Sequence, residues 1–156
     1  MYKSDKNRFT LGYHLYAAND SDDSGKSLND NFDALATQHY LFGKYETPIW
    51  LFRLEGTYTE APFSNKNHAG YFVYRMTDRN GSSKGAYDIW WNARSDWNAD
   101  NEKAAFAGVE RKLDDLFAVK GFYIGAGFAY GFGGRAFGTS TRLREKAYTA
   151  DVGYVK

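Results

Sequence analysis

The stretch Phe122-Tyr-Ile-Gly-Ala-Gly-Phe-Ala-Tyr-Gly-Phe-Gly133 sorts its residues into two sets with a period of two. One set is mostly bulky and apolar: Phe122, Ile124, Ala126, Phe128, Tyr130 and Phe132. The other set is mostly glycine: Tyr123, Gly125, Gly127, Ala129, Gly131 and Gly133. Because successive side chains of a strand point to opposite faces, this pattern predicts a β-strand with one bulky face and one small face.

The same alternation occurs along most of the chain. It is clean in 8–18, 49–60 and 85–95, and weaker in 32–44, 69–77 and 146–155. The segment 102–120 fits either a strand followed by a turn or a helix, and Gly108 in its interior favours the strand. With that choice the pattern predicts about eight strands in one domain that spans residues 1–156.

Composition excludes several classes of protein. The 20 Lys and Arg residues nearly cancel the 19 Asp and Glu residues, so no overall positive field points to a nucleic acid. Since the chain has no Cys, disulfides and thiol catalysis are excluded. The uncharged run 121–134 is too short for a transmembrane helix, which needs about 20 residues, whereas membrane barrel strands need only about 10.

Two observations favour a membrane barrel over a soluble sandwich. A glycine face exposed to water would weaken a strand without benefit, but small residues suit the interior of a narrow barrel. The polar face of the strands also carries charges of both signs that would pair in that interior, and we expect a lumen charge network of Arg53, Glu55, Arg75, Asp88, Arg94 and Asp151. Aromatic residues near strand ends are then expected to form interfacial girdles: Trp50, Tyr58, Tyr87, Trp97, Phe132, Tyr148 and Tyr154.

The predicted connectors differ in length. Long polar loops lie mainly at one end of the strands and tight turns at the other, as in up-and-down barrels of the outer membrane. In this pattern the chain resembles small outer-membrane β-barrel proteins of Gram-negative bacteria, of the OmpA-transmembrane-domain and OmpX types. The resemblance implies an all-β, membrane-embedded, antiparallel up-and-down barrel in the bacterial outer membrane. One departure is the end Tyr154-Val155-Lys156, where such proteins carry a terminal aromatic residue; a trimmed end, further strands or another class would each account for it.

Residues 1–8 lack the apolar core of a secretory signal peptide, which leaves a cytosolic protein or a mature exported one. In line with the barrel interpretation, we expect a signal peptide to have been removed. No cofactor is expected.

Candidate catalytic and metal sites are weak. Glu60, Ser64 and His68 lie close in sequence around one loop and have the residue types of a nucleophile–base–carboxylate set, but spacing alone does not give its geometry. Asp20, Asp22 and Ser24 match the first half of a calcium loop, but Asn31 replaces its bidentate Glu, and a solvated acidic loop is the preferred interpretation. The sequence therefore favours a protein that is not an enzyme and holds no metal.

We expect function to lie in the exposed loops 19–31, 61–68 and 133–144, as surface interaction, adhesion or envelope integrity. Arg135, Arg142, Arg144 and Lys146 make the last loop basic and suit contact with the phosphates of lipopolysaccharide. The expected partners are membrane lipid, lipopolysaccharide and a surface ligand or protein. Three alternatives stay open: a lipid A-modifying enzyme, a soluble lipocalin-like barrel for an apolar ligand, and a fragment of a larger transport barrel.

Overall fold

The computed structural model describes residues 2–3, 7–19, 32, 35–63, 70, 72, 97–116, 120–135 and 141–154. Its strands are β1 (Tyr2–Lys3), β2 (Arg8–Asn19), β3 (Leu35–Glu46), β4 (Trp50–Glu60), β5 (Lys103–Lys112), β6 (Phe122–Arg135) and β7 (Arg142–Tyr154). Among these described residues, no helix is long and apolar enough to cross a membrane.

The strands form one antiparallel sheet in the order of the sequence, from β1 to β7. This confirms the predicted all-β, up-and-down architecture and six of the predicted strand segments. It also answers the question about 102–120, because residues 103–112 are a strand and a turn follows it. Within the described residues β1 pairs with β2 and β7 pairs with β6, and the sheet is open between them.

The predicted strands 69–77 and 85–95 fall outside the described residues, apart from Gly70 and Phe72. A simple meander would place them between β4 and β5. The structure instead pairs β4 directly with β5, from Trp50 opposite Arg111 to Tyr58 opposite Lys103. The connector 61–102 therefore leaves the sheet after β4 and returns to the neighbouring position.

The two faces of the sheet follow from the register, since directly paired residues share a face. The outer face carries the bulky set of β6, and with it exposed apolar side chains such as Leu11, Leu54 and Val152. The inner face carries the glycine-rich set of β6 and the charged positions Arg53 and Glu55 of β4. This matches the predicted arrangement, in which the apolar face meets lipid.

The two ends of the sheet also differ as predicted. The connectors 20–34, 61–102 and 136–141 lie at one end, which we call the long-loop rim. The turns 47–49 and 113–121 lie at the other end, the short-turn rim. The last loop is shorter than the predicted 133–144, because β6 extends to Arg135 and β7 begins at Arg142.

Candidate functional site: the inner face of the sheet

Trp97 lies on the inner face and is completely buried, in a cluster with Tyr40, Ala104, Phe106 and Ala129. Its ring sits against Gly131 of β6, where an added Cβ would come within 2.2 Å of the indole Cζ3. No side chain fits in that space, so the indole packs directly on the backbone of Gly131. Part of the glycine face is therefore small because an aromatic ring from the connector 61–102 packs on it.

The backbone at Trp97 is held as firmly as its ring. Its carbonyl oxygen accepts hydrogen bonds from Gln38 Nε2 at 3.1 Å and Thr59 Oγ1 at 3.0 Å, and both of these side chains are buried. Trp97 has a φ of 50°, in the left-handed region that costs a non-glycine residue about 1–3 kcal/mol. The two hydrogen bonds and the buried ring offset that cost.

The residues around Trp97 tie the two ends of the connector to each other. Asp100 accepts a hydrogen bond from the amide of Ala61 at 3.0 Å, and its own amide donates to the carbonyl of Gly70 at 2.8 Å. Phe72 donates its amide to the carbonyl of Asn98 at 2.8 Å. The connector is thus anchored on the inner face near the long-loop rim, where the chain leaves β4 and enters β5.

Glu102 closes this anchor and lies outside the strands. Its carboxylate accepts a hydrogen bond from the amide of Ala99 at 3.0 Å, while its carbonyl accepts one from the amide of Thr59 at 2.9 Å. Burial raises the pKa of the Glu102 carboxyl to about 7; the Ala99 hydrogen bond opposes this shift, and the charge of Glu145 adds to it. Glu102 therefore changes charge near neutral pH.

Charged side chains of both signs occupy the part of the inner face nearer the short-turn rim. Arg53 of β4 faces Glu110 of β5, with nitrogen and oxygen 4.0 Å apart. Glu46 contacts both Arg8, at 2.5 Å, and Lys112, at 3.8 Å. The inner face is therefore polar enough for an aqueous lumen at this end.

Three members of the predicted lumen charge network, Arg53, Glu55 and Asp151, lie on the inner face. The other three, Arg75, Asp88 and Arg94, lie outside the described residues. The sequence analysis missed Glu110, the partner of Arg53. Alternation through Phe106, Gly108 and Glu110 would have assigned it to the inner face once β5 was taken as a strand.

An aromatic group lies between the charged end and the anchor. His14 of β2 has ring centroids 6.2 Å from Tyr40 and 5.9 Å from Phe42, and the rings of Tyr40 and Phe42 are 5.6 Å apart. Tyr40 is buried, whereas His14 is exposed and Phe42 half-buried. The His14 and Phe42 rings are therefore accessible from the inner side of the sheet.

The remaining candidates do not form a site among the described residues. Glu60 ends β4 and accepts a hydrogen bond from the Tyr58 hydroxyl at 2.8 Å, while Ser64 and His68 lie outside the described residues. So do the calcium candidates Asp20, Asp22 and Ser24. In the part of the chain that the structure describes, no group of three or more His, Asp or Glu residues is placed to hold a metal.

One girdle prediction is wrong. Trp97 is buried on the inner face rather than exposed to the membrane interface, because it lies in the connector and not at a strand end. Tyr87 lies outside the described residues. The other predicted girdle residues stand on the outer face: Trp50, Tyr58, Phe132, Tyr148 and Tyr154.

No protein-family model matches this chain. It is similar to a protein named chitoporin from Escherichia coli (strain K12), with 35% identity over 156 residues that cover 93% of this chain. Together with the all-β, antiparallel up-and-down sheet, this similarity supports the fold of an outer-membrane β-barrel. The chain lies in the bacterial outer membrane, as predicted. The chain spans 32% of the chitoporin's length, and the narrower resemblance to the OmpA and OmpX types is not confirmed.

Proposed function

We propose that the chain forms part of the wall and the constriction of a porin-type channel for small polar solutes. The observation that carries this proposal is the anchoring of the connector 61–102 on the inner face through Trp97, Asp100 and Glu102. The residues 97–102, held on the inner face, narrow the passage there, and the mixed charges around Arg53 and Glu110 keep that passage hydrated. The similarity to a chitoporin supports the same function.

The class of solute follows from the name of that relative and from the aromatic group. We take a chitin-derived oligosaccharide as the candidate solute, because aromatic rings offer an apolar face to the C–H face of a sugar ring. His14 and Phe42 present such rings on the inner face, and the ammonium of Lys44 stands 6.0 Å from the Phe42 ring centroid. These side chains combine an apolar surface with a polar neighbour, as a sugar requires.

Conductance measurements test the proposal. The full protein, inserted into a planar bilayer, is expected to show discrete conductance steps. Oligomers of N-acetylglucosamine are expected to block them at lower concentrations than maltose oligomers of equal length. Phe42→Ala should weaken this block severalfold, while Phe52→Ala, a matched change on the outer face, leaves it unchanged. A protein that inserts without conductance would refute the channel, and equal block by both sugars would refute the proposed solute class.

A further inference from the structure

A group of exposed cations lies on the outer face at the long-loop rim: Lys103 of β5, Arg135 at the end of β6, and Arg142, Arg144 and Lys146 of β7. We call it the outer cation patch. Arg142, Arg144 and Lys146 alternate along β7 and share one face. Phe132 stands between Lys103 and Arg144 in the register of the three strands. The patch therefore covers three neighbouring strands.

A β-bulge places Arg135, the cation at the end of β6, in this patch. The pairing of β6 with β7 is regular up to Phe132 opposite Arg144, then shifts so that Arg135 stands opposite Arg142. In a regular register Gly134 would occupy that position. Gly133 has a φ of +87°, a conformation that glycine adopts without strain and that the shift uses. The bulge thus places Arg135 on the same face of the sheet as Arg142.

Two arginines directly opposite each other on one face of a sheet repel, which destabilises the pair. Arg142 Nη1 donates a hydrogen bond to the carbonyl of Gly133 at 2.8 Å, but among the described residues neither arginine pairs with a carboxylate. The ion pairs of the described residues involve Arg8, Arg53, Arg111 and Lys112 instead. The residues between the two arginines in sequence, 136–141, include no Asp or Glu. Arg111, the outward cation at the opposite rim, is by contrast paired with Asp115 at 2.7 Å. Among the described residues, the outer cation patch thus has no carboxylate like the one that pairs with Arg111 at the opposite rim.

We infer that the outer cation patch binds the phosphate groups of lipopolysaccharide. Long loops of outer-membrane barrels face the cell exterior, so the long-loop rim meets the outer leaflet, where lipopolysaccharide carries phosphates at head-group level. Arginine pairs bind phosphate through forked, charge-assisted hydrogen bonds. Phe132 and Tyr148 lie on the same outer face, at 43% and 75% exposure, where their rings can contact the acyl chains of lipopolysaccharide. The inference is independent of whether the protein conducts solutes.

Binding of purified lipopolysaccharide to the full protein in detergent micelles tests this inference. Replacing Arg135 and Arg142 with Gln is expected to weaken binding about tenfold or more, which corresponds to the loss of one charge-assisted hydrogen bond. The variant with Arg111→Gln and Lys120→Gln has the same change in charge at the short-turn rim and should bind as the wild type does. Arg135→Lys with Arg142→Lys keeps the charge and should retain most of the binding.

Several outcomes would overturn the inference. Equal weakening in both Gln pairs would mean that only net charge matters, and unchanged binding in both would mean that the patch does not take part. Equal affinity for enzymatically dephosphorylated lipopolysaccharide would show that the patch does not bind the phosphate groups. Equal affinity for phosphatidylglycerol micelles would show that the patch binds phospholipids as well as it binds lipopolysaccharide. If the Arg135 and Arg142 variant does not fold, Arg144→Gln with Lys146→Gln, at regular strand positions, gives the same test.

Discussion

Gly131 shows how one missing side chain positions a whole connector. A methyl group there would overlap the indole of Trp97, whose position is also fixed through its carbonyl oxygen by Gln38 and Thr59. The backbone of Trp97 therefore cannot move away from Gly131 without loss of these buried hydrogen bonds. We therefore expect substitutions of Gly131 to be tolerated as poorly as substitutions of Trp97.

Gly131→Ala is accordingly expected to destabilise the folded protein by about 1–3 kcal/mol, the usual cost of overpacking a filled core. Gly56→Ala is the matched control on the outer face, because its Cβ would meet its nearest neighbour, the carbonyl oxygen of Ala104, at an ordinary 3.8 Å. Urea unfolding of both variants in the same detergent measures the difference. Equal stability of the two would show that the Trp97 ring is not seated on Gly131.

Glu102 predicts a dependence of stability on pH. Because burial raises the pKa of its carboxyl from 4.5 to about 7, the folded state binds this proton more tightly than the unfolded state does. The resulting stabilisation is complete below about pH 4.5 and is lost as the pH rises to about 7. Glu102→Gln should flatten the unfolding free energy between pH 5 and 8, whereas Glu60→Gln, an exposed carboxylate, should leave the wild-type slope. An unchanged slope in Glu102→Gln would contradict the assignment.

At the scale of strands, alternation identified β2, β4 and β6 almost to the residue, since the period of two is a local property. It did not reveal that β4 and β5 are neighbours, because adjacency depends on where the connector 61–102 goes. The inward path of Trp97 was missed for the same reason. An aromatic residue near apparent strand ends looks the same in sequence whether it faces lipid or returns to the inner face.

The adjacency of β4 and β5 predicts an energetic coupling between Arg53 and Glu110. A double-mutant cycle with Arg53→Gln and Glu110→Gln should give a coupling free energy of about 1 kcal/mol, because the cycle isolates the attraction between these two opposite charges on the half-buried inner face. Arg53→Gln with Lys103→Gln serves as the control pair, since Lys103 lies on the outer face. A coupling of zero in the first pair would indicate that water already screens the two charges.

For the whole molecule, the unequal rims give an orientation in the membrane. We expect the connectors at the long-loop rim to face the cell exterior and the turns at the short-turn rim to face the periplasm, because extracellular loops of outer-membrane barrels are longer than periplasmic turns. The difference between a long-loop rim and a short-turn rim and the face that meets lipid were predictable from the sequence, because both follow from composition and period. The solute class that we propose was not predictable, since it depends on how distant inner-face residues come together.

Cysteine labelling tests that orientation, since the chain has no cysteine of its own. Thr141→Cys at the long-loop rim should react with a membrane-impermeant maleimide on intact cells. Leu116→Cys, 61% exposed at the short-turn rim, should react only after the outer membrane is opened. Labelling of both positions on intact cells, or of Leu116→Cys alone, would contradict the orientation.

The direct pairing of β4 with β5 has a consequence for how such a protein diversifies. The register of β4 and β5 depends on their own pairing, and the ends of the connector are fixed near the sheet by the hydrogen bonds of Ala61, Gly70 and Phe72 with Asn98 and Asp100. We therefore expect that the sequence between positions 72 and 97 can be changed by mutation, insertion or deliberate grafting without loss of the β4–β5 pairing. Selectivity and architecture can then evolve separately, with Phe72 and Trp97 as the boundaries of a graft.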